Sequence, residues 1–554
     1  MFGHFGYFLN AIFFFTKSLV EKNKEMALYR SRAYSRVKLR HPKNFILTLD
    51  DEIANASTYQ IPKITLPSKL EIRGDTISHF VHQKSIRYLG EQRLHNSILA
   101  HVGANRKFLY PLPPWWIEKI EGLQIEVDQK NSHTLWRLFC FYFFLRSTTD
   151  GLIRFLKNAF LNREMVQWKV SKYDYFLNLR KSNVEPFTGD KIKYNILYWH
   201  SIWTQKSSNF TKSCSPNNVY YECDENIRSF TYKNIRYRQL NAKFPVIISV
   251  KDKCFFFLWL ALFWLKNAFL TFTNRQHEAF LFADIVESMY VTFLYDNQLA
   301  ENYFFHNETY LFKPLWTFVA EKKGSTCWLY FYSANNFHFD REGVKLYDRH
   351  LKLVSWKNVI TWHNDHKKIL TNASDKIDLV DISPCIWFED PTPTCSEQAH
   401  NKIDLLIFDV VPRRPFFYTR LISNSEIYDE KNVIKFISDI EHVLKRNSIK
   451  GVIKQKRKAN VSTSKKYIRF LDKTMVQGSI TSVNADVAAA SLMTNSKFVI
   501  CYPFTTAALV AKFYGIPVVF YDPTGLIKIG KRFFDIDIIQ NVEELELRVL
   551  GAMG

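Results

Sequence analysis

From Ile403 onward, short apolar runs alternate with segments whose apolar residues recur every three or four positions. IDLLIFDV (403–410) is an apolar run that ends in a turn. NVIKFISDIEHVLKRN (432–447) sets Val433, Phe436, Ile437, Ile440, Val443 and Leu444 on one face of a helix. KGVIKQKR (450–457) reads as a strand, SKKYIRFLDKTM (464–475) as a helix and GSITSV (478–483) as a short strand. The Ala-rich ADVAAASLMTNS (485–496) predicts a helix and KFVICYP (497–503) a buried strand. TTAALVAKFYG (505–515) predicts a helix closed by Gly515, and PVVFYD (517–522) the next strand. Strands separated by helices at this spacing predict an α/β fold with a parallel, doubly wound sheet. The Gly-rich dinucleotide fingerprint is missing from it.

The pattern is less regular upstream. KIKYNILYWHS (191–201), FPVIISV (244–250), CWLYFYS (327–333) and NVITWH (358–363) read as strands. Residues 253–271 and 276–295 read as helices. DISPCIWFEDPTPTCSEQAHN (381–401) carries three prolines and no period, which predicts an interdomain linker. The expected division is an N-terminal extension over 1–185, a Rossmann-like domain over 186–385 and a second Rossmann-like domain over 400–554.

Composition adds three constraints. With 554 residues the chain is too long for one ordinary core. A formal charge of +22 favours anionic partners, among them nucleic acid, anionic lipid and phosphorylated small molecules. The eight cysteines (Cys140, Cys214, Cys223, Cys254, Cys327, Cys385, Cys395 and Cys501) show no close pair of the zinc kind and sit mostly in apolar runs. They read as reduced thiols of a cytoplasmic protein. CFFFLWLALFWL (254–265) is too short an apolar run to span a membrane. The N-terminal MFGHFGYFLNAIFFFTKSLVEKNK lacks a basic start and a small-residue cleavage site, and so makes a poor signal peptide. Its Phe-rich positions, followed by Lys17, Lys22, Lys24 and a basic stretch from Arg30 to Arg40, suit either a packed helix or one lying on the inner membrane as a peripheral anchor.

Ligands of open parallel sheets bind beyond the carboxyl ends of the strands. Four such ends carry suggestive chemistry. Strand 497–503 runs into Pro503, Phe504, Thr505 and Thr506 at a helix start, where unpaired N–H groups and two hydroxyls suit a phosphate. Strand 517–522 runs into Asp522, Pro523, Thr524 and Gly525, which offer a hydroxyl and a permissive backbone. Arg413 and Arg414 follow strand 403–410, and Lys454, Lys456, Arg457 and Lys458 end strand 450–457. Cations converging on one edge suit a diphosphate or a nucleotide monophosphate. The competing explanations are a simple Thr cap, an ordinary turn and solvated surface charge.

PFTTAALVAKFYGIPVVFYDPTG resembles the bacterial polysaccharide-biosynthesis proteins named for their PFTS motif, with Thr506 where Ser is expected. IFDVVPRRPFF, the 432–446 helix, VIKQKRK and YLFKPLWTFVAEKKGSTCWLYFYSANN (310–336) accompany it in order, over roughly residues 270–545. The resemblance implies a GT-B glycosyltransferase of surface carbohydrate synthesis, with two Rossmann-like domains and the donor nucleotide on the C-terminal one. The motif is also similar to the phosphate-binding motif of bacterial sialyltransferases and capsule Kdo transferases. That similarity favours a CMP-activated nonulosonic or Kdo-type sugar passed to a glycan or glycolipid acceptor.

In that scheme the rim stabilises the charge that builds on the leaving phosphate, so neither a metal nor a cofactor is expected. The Asp535/Asp537 pair lies past the donor strands. For deprotonating the acceptor, Glu278 and Asp284 in HEAFLFADIVES are candidates, with exposed helix charge as the simpler explanation, and His200 is a third. Asn335 and Asn336 are candidate acceptor contacts. Trp316, Trp328 and Trp356 suit sugar stacking and suit core packing better. The competing functions are a non-enzymatic polyanion-binding protein, a degenerate scaffold and a polyol-phosphate transferase on the same frame. No nucleic-acid motif is visible, and the paired histidines expected of a polyol-phosphate transferase are replaced at 450–458 by Lys and Arg.

Overall fold

The computed structural model describes residues 64–161, 175–178, 218–240, 244–306, 313–331, 339–346, 351–382, 402–412, 429–455, 459–483 and 487–554, with short interruptions inside several of these ranges. Two largely parallel sheets organise them. The first holds β1 (Tyr175–Asn178), β2 (Asn218–Glu222), β3 (Phe230–Tyr232), β4 (Ile235–Leu240), β5 (Asn302–His306) and β6 (Thr326–Tyr330). A separate hairpin, β7 (Phe339–Arg341) with β8 (Val344–Leu346), precedes its last strands, β9 (Asn358–Thr361) and β10 (Leu379–Ile382). The order is β3-β4-β2-β1-β5-β6-β9-β10, parallel throughout except for β3 on β4. The chain winds from β1 toward one edge, then from β5 toward the other, so the order reverses between β1 and β5.

The second sheet holds β11 (Ile403–Phe408), β12 (Gly451–Lys454), β13 (Ile480–Val483), β14 (Ser496–Cys501), β15 (Val518–Tyr521), β16 (Arg532–Phe533) and β17 (Ile536–Ile539). Its order is β13-β12-β11-β14-β15-β17-β16, with only β16 antiparallel. Reading the parallel strands in chain order gives 3-2-1-4-5-6, the doubly wound Rossmann arrangement, reversing between β11 and β14. Two such sheets make the GT-B-like α/β architecture that the sequence predicts. The five strands read between 403 and 522 all form. The β16–β17 hairpin and the helix after it go unread in the sequence, because strands of two and four residues are too short to show a period.

Around the first sheet lie helices α1 (Gly74–Leu89), α2 (Pro114–Gly122), α3 (Gln129–Leu161), α4 (Val250–Leu270), α5 (Gln276–Phe280), α6 (Phe282–Thr292), α7 (Leu315–Lys322) and α8 (Asn364–Ala373). Residues of α1, α2 and α3 share one core with this sheet, and Trp316, Trp328 and Trp356 are all buried. The second sheet has its own core and carries α9 (Glu430–Arg446), α10 (Lys465–Val476), α11 (Ala489–Met493), α12 (Thr506–Phe513) and α13 (Val542–Met553). Ile369 of α8 packs against both cores.

Two expectations need correction. FPVIISV forms no strand. Its carbonyls are taken by side chains instead: Pro245 O by the Tyr290 hydroxyl at 2.9 Å and Val246 O by Gln298 Nε2 at 2.9 Å. Ser249 then caps α4 by accepting from Asp252 N. The single helix over 276–295 is two, broken at Leu281. Strand 191–201, His200 and most of the proline-rich 381–401 segment lie outside the described residues. Of the cysteines, Cys140, Cys327 and Cys501 are buried and free, and Cys254 is exposed and free.

Candidate functional site

The register of the second sheet decides which loops meet. Phe408 pairs with Lys454 on one side and with Cys501 on the other, and Cys501 pairs with Phe520. The carboxyl ends of β12, β11, β14 and β15 therefore lie side by side. Asp409, Lys454, the Pro503–Thr506 turn and Asp522 leave the sheet along this one rim, beside its topological switch point.

At the switch point the chain turns sharply. Tyr502 N donates to Phe408 O at 2.8 Å, which ties the end of β14 to that of β11. Phe504 then takes a left-handed φ of 61°. A bulky residue there is strained by about 1–3 kcal/mol, and such strain clusters at functional turns. Packing holds it in place: Phe504 is buried, with its ring 5.8 Å from Phe520 and 5.2 Å from Phe533. The turn delivers Thr505 to the N-cap of α12 in an extended conformation. Its hydroxyl caps nothing: Thr505 is 7% exposed and its Oγ1 has no hydrogen-bond partner. The group coupled to it is the Cys501 thiol, a weak partner, which burial pushes up to about 12 while the hydroxyl draws it back. Thr506 opens the helix and is half-buried. No acidic residue occupies the first turn, so the partial positive charge of the helix end stays uncompensated there.

The Asp522 loop is built differently. Asp522 is fully buried and accepts from Thr524 N (3.0 Å), the Thr524 hydroxyl, Ile527 N (3.0 Å) and Gln540 Nε2 (3.1 Å). The Thr524 hydroxyl also accepts from Leu526 N, so it is occupied in shaping the turn. Gly525 adopts a φ of 63°, which accounts for glycine at this position. This loop frames the rim and offers backbone to a ligand more readily than it offers the threonine hydroxyl.

Across the switch point stands Asp409, which the sequence alone does not single out. It is 1% exposed and accepts from the Tyr467 hydroxyl through Oδ2, while Oδ1 has no hydrogen-bond partner. Burial pushes its carboxyl up to about 7; the Tyr467 hydrogen bond and the Lys454 charge pull it back. Lys454 is itself buried at the end of β12. Gln455 Nε2 donates to the Tyr467 hydroxyl at 3.1 Å. A buried cation, a carboxyl poised near neutrality and an unpartnered hydroxyl at a helix N-terminus thus share one rim. Such a constellation suits an anion whose charge changes during a reaction.

Other expected residues are placed as follows. Arg413, Arg414, Lys456, Arg457, Lys458, Asn335 and Asn336 lie outside the described residues. Glu278 on α5 is buried and ion-paired with Arg275 and with Lys266, the latter at 3.6 Å. Asp284 on α6 pairs with Lys84, whose ammonium also donates to Phe280 O. Both carboxylates thus have structural partners within the first core. Asp537 binds Arg532 and Arg548 at 2.5 and 3.0 Å, and Asp535 binds Lys512 at 3.0 Å. Among the described residues, no group of three or more His, Cys, Asp or Glu could hold a metal ion.

The two halves touch next to the rim. His363, just past β9, places Nε2 3.1 Å from Asp535 Oδ2, and Asp365 Oδ2 accepts from Phe534 N at 3.0 Å. The His363 and Phe534 rings meet edge to face at 5.2 Å. Phe534 lies against Phe533, and Phe533 against Phe504. The carboxyl end of a first-sheet strand is therefore linked by contiguous rings to the Pro503–Thr506 turn.

The family described as polysaccharide biosynthesis PFTS motif protein matches this chain over residues 260–549, just over half its length. The chain belongs to that family. The match covers the second sheet with its rim and the last four strands of the first. No curated protein matches the chain. Among solved structures, it is similar to the lipopolysaccharide outer core galactosyltransferase WaaB in its apo form (10% identity, TM-score 0.32, 69% of this chain and 90% of that one). It is also similar to a putative UDP-N-acetylglucosamine 2-epimerase from Listeria monocytogenes (8%, 0.36, 69% and 88%) and to the wall teichoic acid polymerase TagF (8%, 0.34, 75% and 92%). TM-scores this low leave the assignment to the PFTS family match and to the geometry.

Proposed function

We propose that this PFTS family protein is a glycosyltransferase of surface polysaccharide synthesis. It moves a sugar from a nucleotide donor held at the rim of the second sheet to a glycan or lipid-linked acceptor presented by the first. The observation that carries this reading is the register that sets Asp409, Lys454 and Thr505 on adjacent strand ends. The Thr505 and Thr506 end of α12 receives the donor phosphate through backbone N–H groups and the waiting hydroxyl. Lys454 supplies positive charge as the phosphate leaves, and Arg413 and Lys456 add to it. Gly525 and Thr524 contribute backbone from the neighbouring loop. The favoured donor is a CMP-activated nonulosonic or Kdo-type sugar, because a single phosphate suits one helix end flanked by one buried lysine. Asn335 and Asn336 follow a strand of the first sheet and are the proposed acceptor contacts. The reaction runs in the cytoplasm, beside the inner membrane where lipid-linked acceptors lie.

A nucleotide panel read by thermal shift tests the reading. A ligand at 100 times its Kd adds about 2.7 kcal/mol of apparent stability. CMP is expected to raise Tm where UDP and GDP do not, and a CMP-sugar is expected to release free CMP on incubation with acceptor. Stabilisation by UDP or GDP instead would retain the transferase and discard the CMP donor. Stabilisation by DNA or RNA alone would discard the transferase.

A further inference from the structure

Helix α4 presents an apolar stripe that none of the described residues covers. Phe255, Leu258, Leu262, Leu265, Phe269 and Phe272 follow one another at intervals of three or four residues and are 51–75% exposed. Soluble surfaces carry such residues singly, not as a continuous row. No charged residue occurs from Cys254 to Leu265, a length of about 18 Å at about 1.5 Å per residue. Lysines stand at both ends, Lys251 and Lys253 before the stripe and Lys266 within its last turns. The helix is 21 residues long and apolar enough to cross a membrane by composition, yet its other face is committed. Phe256, Leu260, Phe263 and Asn267 are buried against the first core, which rules out lipid on all sides.

We infer that α4 lies in the plane of an anionic bilayer surface, with this stripe sunk between the headgroups and Lys251 and Lys253 on the lipid phosphates. The helix has the features of an interfacial helix: an apolar face, a basic boundary and amphipathic aromatics at the flank. Trp259 and Trp264 are the half-buried aromatics, and Trp264 Nε1 is anchored to Thr148 of α3 at 3.2 Å. Charge decides against a second copy of the chain: pairing two stripes in either direction sets lysines against lysines. An anionic lipid layer meets the same lysines favourably. The inference stands independently of the transferase reading.

Flotation of the full-length protein with vesicles tests it. The protein is expected to float with vesicles containing 30% phosphatidylglycerol, more weakly with pure phosphatidylcholine, and less well as salt rises. Leu258→Glu with Leu262→Glu is expected to cut binding at least tenfold, and Lys251→Glu with Lys253→Glu several-fold on anionic vesicles only. The milder Leu262→Ser with Leu265→Ser pair is expected to weaken binding measurably and guards against misfolding, with Tm and nucleotide binding as controls. Thr505→Val is expected to bind vesicles like the parent, which separates this surface from the donor site. Undiminished flotation of the folded stripe variants would overturn the inference, since the membrane contact would then lie elsewhere. So would a parent dimer that the stripe variants turn into monomer without any vesicle binding.

Discussion

At the scale of single residues, the proposed donor rim implies a trade of stability for anion chemistry. The Thr505 hydroxyl is buried without a geometric partner, and an unsatisfied buried polar group costs about 1–3 kcal/mol. Thr505→Val keeps the shape and removes the hydroxyl. The variant is expected to melt no lower than the parent, and up to a few degrees higher, while its donor affinity falls about tenfold. Equal loss of both properties would make the hydroxyl structural. Asp409 makes a second prediction, this time in pH. Its folded pKa near 7 lies above the ordinary carboxyl value, so between about pH 4 and 7 the folded state holds a proton that the unfolded state has released. Stability therefore falls as pH rises through this window and levels off above it. The shift bounds the loss at roughly 4 kcal/mol. Asp409→Asn is expected to flatten that slope in denaturant titrations. A bound phosphate is repelled by the ionised carboxyl, so parent donor affinity is expected to fall above neutral pH, and this dependence too should vanish in the variant. A parent whose stability and donor affinity are flat from pH 5 to 8 would refute the raised pKa.

At the scale of elements, what the sequence revealed and what it hid have physical causes. The strands and helices from 403 to 522 are legible because β11 and β14 are buried on both faces, and α9 carries one sharply apolar side. The stretch 244–250 looks like a strand for the same local reason, an apolar run. Its carbonyls are claimed by Tyr290 and Gln298, a tertiary fact with no trace in the local pattern. The rim was half legible. Thr505 and Lys454 follow from strand ends, whereas Asp409 gains its character from complete burial beside Tyr467, 58 residues away in the chain. Thr524 illustrates the opposite error, a hydroxyl read as free that the loop uses for its own turn. Packing between elements also fixes Gly451. A Cβ there would stand 2.8 Å from Leu444 Cδ1 and 3.3 Å from Ile407 Cδ1, so β12 sits against α9 only because the side chain is missing. Leu444 and Ile407 are both fully buried and have little room to yield. Gly451→Val is expected to destabilise the fold by about 1–3 kcal/mol, read as a lower denaturation midpoint. Because Lys454 ends the same strand, donor binding should weaken as well. An unchanged midpoint would mean that the helix can move away from the strand freely.

At the scale of the whole molecule, the proposed function asks how a donor on one sheet would meet an acceptor on the other. The described contacts between the halves include the His363–Asp535 bridge, which joins the carboxyl end of β9 to the loop beside α12. Hydrogen bonds from His363 and Lys512 hold the Asp535 carboxyl below its ordinary range. Asp535 also has a left-handed φ of 54°, so Asn is the substitution that alters charge while keeping the backbone. The bridge is mostly exposed, and pairs of that kind contribute only about 0–1 kcal/mol to stability. Its effect should therefore appear in geometry more than in Tm. Asp535→Asn leaves the Lys512 bonds to the carbonyls of Phe534 and Asp535 in place, and with them the shape of the second domain. It weakens the attraction to His363 across the halves and the carboxylate's pairing with Lys512 within the second domain. The variant is expected to melt within about 2 °C of the parent, in line with so small a contribution. Its donor Kd should be unchanged, while its acceptor KM rises several-fold and its radius of gyration in solution scattering increases. High salt should push the parent in the same direction, since screening acts on this exposed pair first. If acceptor KM and radius both stay at parental values, the two halves are held by the Ile369 packing, the ring contacts and the Asp365–Phe534 hydrogen bond without the bridge. The bridge would then be a surface ion pair with no part in closing the cleft.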